Sequence, residues 1–213
     1  MIRVYAADVS QLPDPKQRPE ILSVLPKQRQ EKILRCRVLD KRKQSLGAGL
    51  LLEYVLNLYG KTSADLRVGE NGKPELDDFF FNLSHAGDYA ICAVGDKIVG
   101  CDVEKITKEP PNLAEKYFCK SENEHLNQFF GAKRTKEFFR IWTLKESYMK
   151  MTGEGMALAL NRVEFILGEA VSVYRDGIRC ACGIKEYEID GYKCSVCSED
   201  VEFAEKLCCV ELN

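Results

Sequence analysis

A chain of 213 residues with 45% hydrophobic content can bury one large core or two small ones and reads as a soluble globular protein. Its 31 Lys+Arg against 33 Asp+Glu leave a net charge of -2, so no global field argues for nucleic acid as a partner. No segment is apolar and long enough to span a bilayer, Leu46 to Leu58 being broken by Glu53, and Met1 to Asp8 lacks the basic start and apolar run of a signal peptide; a cytoplasmic protein is expected.

In chain order, Ile2 to Ala6 alternates as a first strand, and Gln11 to Pro19 is a loop. Leu25 to Arg37 and a run from Asp40 to Leu58 read as helices, the second presenting Leu46, Leu50, Leu51 and Val55 on one face and stopping at Gly60. Lys27, Arg29, Lys32, Arg35, Arg37, Lys41, Arg42 and Lys43 concentrate positive charge there, either the wet face of a helix or a surface for a phosphorylated ligand. Leu66 to Val68 is a short strand, and Glu70 to Pro74 a turn. Phe79 to Leu83 and Tyr89 to Val94 pair around the polar loop Ser84 to Asp88, and Gly95-Asp96 turns into a strand ending at Glu104. Thr107 to Asn112, with Pro110 and Pro111, reads as a linker. Leu113 to Phe118 and Ser121 to Phe130 look helical, with Ser121 as N-cap and Glu124 as its reciprocal partner. Thr135 to Thr152 reads as a second long helix, capped by Thr135 and stopped by Gly153. Short strands follow around Val163 to Leu167, Val171 to Tyr174, Lys185 to Ile189 and Tyr192 to Val196, as an antiparallel sheet requires.

This order predicts an α+β fold of two similar α/β halves related by a pseudo-twofold, each a small mostly antiparallel sheet packed with helices, with the active site between them. The division falls at the linker: residues 1–106 form one half and 107–213 the other. A weak echo between Gly87 to Val94 and Asp190 to Cys197 fits such halves.

Two constellations carry chemistry. On the strand Val99 to Glu104 a period of two places Asp102 and Glu104 on one face, where paired acids want a shared proton or a hard cation. Charges at a solvated strand end explain the same pattern. Glu146 and Lys150 are four apart and share a helical face with Trp142 and Met149; they read as an ordinary ion pair or as part of a site. Among the ten cysteines, Cys180, Cys182, Cys194 and Cys197 resemble zinc knuckles, but Cys194 and Cys197 stand three apart on a strand and face opposite sides, so structural thiols are expected.

Taken together, Phe81-Asn82-Leu83-Ser84-His85, then Gly100-Cys101-Asp102-Val103-Glu104, then Trp142 to Lys150 resembles the signature of 4′-phosphopantetheinyl transferases of the two-halved Sfp type. Asn71 to Pro74, and Ala114 to Phe118 followed by Ser121-Glu122, support the match. The resemblance implies transfer of the phosphopantetheine arm of coenzyme A to a serine of an apo acyl or peptidyl carrier protein, releasing adenosine 3′,5′-bisphosphate. It implies a magnesium ion on Asp102, Glu104 and Glu146, with Glu146 or a water it orients as the base. Lys150 would meet the pyrophosphate, Ser84 and His85 the 3′-phosphate, and Lys73 the phosphates or adenine. Lys43 stands where relatives often carry arginine, and lysine lacks the guanidinium fork. Tyr117 and Phe118 would offer apolar surface to the carrier protein. A monomer that binds neither nucleic acid nor membrane is expected. A non-catalytic carrier-protein or coenzyme A binding module of the same fold is the alternative.

Overall fold

The computed structural model describes residues 1–69 and 73–212, apart from the side chain of Met156. The expected turn at Glu70 to Gly72 lies outside the described residues. In chain order the elements are β1 (Arg3–Asp8), α1 (Lys27–Arg35), α2 (Leu39–Leu58), β2 (Arg67–Val68), β3 (Pro74–Glu75), β4 (Phe80–Ala86), β5 (Tyr89–Gly95) and β6 (Val99–Lys105). Then come α3 (Leu113–Tyr117), α4 (Lys120–Leu126), α5 (Gly131–Thr152), β7 (Val163–Leu167), β8 (Val171–Arg175), β9 (Ile178–Arg179), β10 (Gly183–Ile189), β11 (Tyr192–Ser198) and β12 (Cys208–Cys209). The class is α+β, as the sequence implies. Among the described residues no helix is long and apolar enough to cross a membrane.

Two sheets stack in the middle. One has the order β12-β1-β5-β4, antiparallel except for the β1 and β12 pair; the other is antiparallel with the order β10-β11-β6. The period of two decides which side chain goes where. Tyr5, Ala7, Ala90 and Cys92 point outward, to a core shared with Leu46, Leu51 and Val55 of α2. Val4, Ala6, Ile91 and Ala93 point inward, against Val99, Cys101, Val103, Cys194 and Val196 of the other sheet. Helix α5 packs on the far side of that sheet, where Leu144, Tyr148 and Met151 share a core with Cys197 and the β7–β8 hairpin. The layers therefore run α2, sheet, sheet, α5, and the alternate residues Gly100, Asp102 and Glu104 of β6 face away from the central core.

Sheet membership does not follow the expected division at 106 and 107. Strand β6 pairs along its whole length with β11, Asp102 opposite Ser195, and β12 returns to pair with β1, so each sheet takes strands from both sides of the linker. Several boundaries also move. The N-cap of α4 is Cys119, whose N–H is taken by Glu122 at 2.7 Å, and not Ser121, which lies inside the helix. Helix α5 begins at Gly131, and the hydroxyl of Thr135 donates back to the carbonyl of Gly131 as an interior threonine does. Its stop is as expected: Gly153 has φ 74° and its N–H reaches the carbonyl of Met149 at 3.1 Å. Phe118 is 4% exposed and stacks on Phe138, so it offers no surface to a partner; Tyr117, half-buried, lies edge-on to Trp142.

Candidate active site where strands β4 and β6 meet helix α5

Gly100 lets the site form. A methyl at that position would stand 2.2 Å from the carbonyl oxygen of Ser147 and from the amide nitrogen of Met151, so only glycine allows the backbone of α5 to lie directly on β6. Strand β4 holds the other side of β6 without a ladder. Asn82 Oδ1 accepts the N–H of Cys101 at 3.0 Å, the Cys101 thiol donates to the Asn82 carbonyl at 3.2 Å, and Ser84 Oγ accepts the N–H of Val103 at 3.4 Å. Asp102 is thereby fixed between β4 and α5.

Asp102 is 3% exposed. Its Oδ1 accepts from Lys150 Nζ at 2.6 Å and from Ser84 Oγ at 2.8 Å, and Lys150 also donates to Ser84 at 3.0 Å. Burial pulls the Lys150 ammonium down, but Asp102, Cys101 and Glu146 outweigh it and hold it above the usual lysine value. Glu104 is pushed up to about 7 by burial, then by the Asp102 charge, with Lys150 opposing and Glu146 adding to the rise. Glu146 is pushed up to about 7 by burial and by Asp102, with Lys150 again opposing. Three acids thus share one ammonium.

Oxygen-only donors with surplus negative charge suit a hard cation. The buried Oδ2 of Asp102 has no hydrogen-bond partner among the described residues, which is the donor such an ion needs. As the side chains stand, no group of three or more His, Cys, Asp or Glu among the described residues is gathered closely enough to hold a metal ion. The same holds for the cysteines. All ten are free thiols, and Cys194 lies in the core between the sheets while Cys197 lies under α5, so the four-cysteine zinc arrangement does not form.

On one side of the acids is a pocket of about 310 Å³ lined by Arg29, Lys73, His85 and Lys150, with Phe81, Leu83 and Met149 as apolar walls. Lys73 Nζ donates to the carbonyl of Lys150 at 3.2 Å, and burial lowers its affinity for a proton. His85 is pushed down to about 4 by burial and by Arg29, Lys150 and Lys41, and its buried Nδ1 is unpartnered. Arg29 donates to the Ser45 carbonyl at 3.0 Å while its Nε is buried without a partner. These groups converge as an anion site does. On the other side Glu104 opens on a recess of about 370 Å³ lined by Trp142, Phe139, Leu113, Pro110 and Lys41.

The structure therefore brings Asp102, Glu104, Glu146, Lys150, Ser84, His85 and Lys73 into one neighbourhood. Lys43 is not among them: its Nζ donates to the Ser10 carbonyl at 3.1 Å and it lines neither pocket. The arginine of the cationic pocket is Arg29. Within α1, Arg29 and Ile33 are four apart, and with Ile33 buried that spacing turns Arg29 to the inner face.

A family model described as the 4′-phosphopantetheinyl transferase superfamily matches residues 98–197. The chain is 32% identical over 176 residues to 4′-phosphopantetheinyl transferase Sfp of Bacillus subtilis, covering 79% of each chain. It is 32% identical over 178 residues to 4′-phosphopantetheinyl transferase gsp of Aneurinibacillus migulanus, covering 81% of this chain and 75% of that one. A partial likeness links it to a solved holo-(acyl-carrier-protein) synthase from Bacillus anthracis in complex with CoA (3′,5′-ADP), at 14% identity and a TM-score of 0.41 over 47% of this chain and 92% of that one.

Proposed function

Because the chain belongs to the 4′-phosphopantetheinyl transferase superfamily, we propose that it moves the phosphopantetheine arm of coenzyme A onto a serine hydroxyl of an apo acyl or peptidyl carrier protein and releases adenosine 3′,5′-bisphosphate. The observation that supports this best is the placement of the acids between two unlike recesses, one lined by Arg29, Lys73, His85 and Lys150, the other by Trp142, Phe139 and Leu113. Phosphoryl transfer needs a nucleophile and a phosphate to meet at such a boundary.

Arg29, Lys73 and His85 would receive the phosphates of the nucleotide end. Lys150 would stabilise charge that develops on the leaving bisphosphate, its proton already secured by Asp102. Ser84 orients both Lys150 and Asp102. Glu146, or a water it orients, would take the serine proton. Asp102, Glu104 and Glu146 would hold magnesium, which when bound supplies neutralisation of the pyrophosphate. We expect the enzyme to work as a monomer in the cytoplasm.

The test is mass spectrometry of an apo carrier protein incubated with the enzyme, coenzyme A and magnesium. A mass gain of one phosphopantetheine is expected from the wild type and none from Asp102→Ala or Glu146→Ala, both still unfolding cooperatively. Unimpaired loading by both variants would sink the assignment, and coenzyme A binding without any loading by the wild type would leave only a binding module.

A further inference from the structure

The most deeply buried charges among the described residues take no part in the chemistry above. Lys145 of α5 and Glu122 of α4 have side chains with 0% exposure and meet at 2.7 Å. Every polar atom of the pair is used. Glu122 Oε2 also accepts the N–H of Cys119 at 2.7 Å, and Oε1 accepts the N–H of Phe165 at 2.8 Å. Lys145 Nζ completes its three bonds on the carbonyls of Leu160, at 2.9 Å, and Val163.

Residue 145 precedes Glu146, which ties this network to the site. The opposite flank of α5 is bound to the second sheet: Thr143 Oγ1 meets Ser195 Oγ at 2.8 Å, and Arg140 forks onto Glu186 at 2.7 and 2.8 Å. Thr143 and Lys145 are two residues apart, about 200° around the helix, so the two sets of bonds grip α5 from nearly opposite sides. Bonds on one flank alone let a helix rock about its axis; bonds on both fix the angle at which Glu146 and Lys150 are presented to Asp102. A rock of about 15° at the outer radius of a helix, about 5–6 Å, displaces a side-chain head by about 1.5 Å.

We propose that Glu122 and Lys145 are positioning residues that set the rotation of α5, and through it the reach of Glu146 and Lys150 toward the reacting phosphate; the proposal rests on the transferase reading above. Burial alone does not need this pair, because apolar residues of matching volume generally fold as well or better than a buried ion pair. What they lack is direction: only the carboxylate and the ammonium bind Phe165, Cys119, Leu160 and Val163 at fixed angles.

The double variant E122L/K145M removes the directional bonds and leaves no stranded charge. It is expected to unfold cooperatively like the wild type, to keep KM for coenzyme A within about twofold, and to lose about tenfold to a hundredfold in kcat per folded molecule. Trp142, the single tryptophan, packs on Phe138 and Tyr117 three residues before Lys145, so its emission reports the helix angle without any substrate and is expected to shift. An unchanged kcat, or a kcat and KM that worsen together, overturns the inference. Failure of the transferase reading shows separately as no loading by the wild type, and Trp142 then decides alone, unchanged emission counting against a positioning role. If the double variant does not fold, Glu122→Asp keeps the charge but is one methylene short of spanning Lys145 and Phe165; a lowered kcat with KM retained supports the role and a wild-type kcat refutes it.

Discussion

Gly100→Ala is the sharpest perturbation the fold offers. The added methyl would lie 2.2 Å from two backbone atoms of α5 and 2.8 Å from a third, the carbonyl carbon of Lys150. No rotamer relieves a clash with backbone, so strand and helix must part by about 1.2 Å to reach ordinary contact distance. That displacement opens the core under Leu144 and Met151 and costs about 3 kcal/mol, the upper part of the range for overpacking. In a chain of this length it lowers Tm by about 10 °C. It also carries Lys150 Nζ beyond hydrogen-bonding reach of Asp102, from which it stands at 2.6 Å. A misplacement of about 1 Å at reacting groups is worth about a hundredfold in rate. Urea unfolding measures the first effect, and carrier-protein loading at a temperature where the variant is fully folded measures the second. A variant with wild-type stability and kcat would mean that β6 and α5 have slack, and the reasoning from close approach would fail.

Arg29→Ala removes a guanidinium from the cationic pocket and is expected to raise KM for coenzyme A by about tenfold to a hundredfold, as loss of one charge-assisted hydrogen bond does; Lys43→Ala, whose ammonium is turned to Ser10, should change it by less than about threefold. Phe118→Ala should cost about 3–5 kcal/mol in urea unfolding, because the ring is core, and leave KM for the carrier protein per folded molecule unchanged; a weakened carrier complex with normal stability would reverse that assignment. His85 makes stability fall in acid. Its folded value of about 4 lies below the unfolded 6.5, so the unfolded chain binds the proton first and stability drops as pH falls through 6.5 toward 4. After allowance for partial exposure, the wild type should lose about 2 kcal/mol more than His85→Gln between pH 7 and pH 4.5, and parallel pH profiles would exclude the histidine as the cause.

Features written in local periodicity were legible. The alternation of Val99 to Glu104 turned Asp102 and Glu104 to one face, and the spacing of four brought Glu146 and Lys150 together, both as the structure has them. What required distant partners was not. Nothing local says that β6 pairs with β11 and not with β5, because its Val99, Cys101 and Val103 would suit either sheet; the two sheets share that layer of side chains. The α4 cap was misplaced for a chemical reason: serine is the stronger capping residue, yet here the Glu122 carboxylate takes the Cys119 N–H, and the cap follows the glutamate. Arg29 stood among eight basic residues from Lys27 to Lys43, where charge alone does not choose a register; the burial of Ile33, one helical turn on in α1, does.

The stretch around Asp102 and Glu104 reads alike as a solvated strand end and as part of a site, and the burial of Asp102 speaks against the first. A solvated strand end would leave Asp102 exposed and the glutamates at ordinary acidity. Instead Asp102 is 3% exposed, and Glu104 and Glu146 are both pushed up to about 7. Placing three acids beside a single ammonium costs folding energy that apolar residues would not incur. Asn82 and Ser84 of β4 hold β6 by hydrogen bonds, glycine at position 100 lets α5 lie on that strand, and α5 is bonded on both flanks. Buried like charges held in place from several independent elements are what nominates these residues as a candidate site.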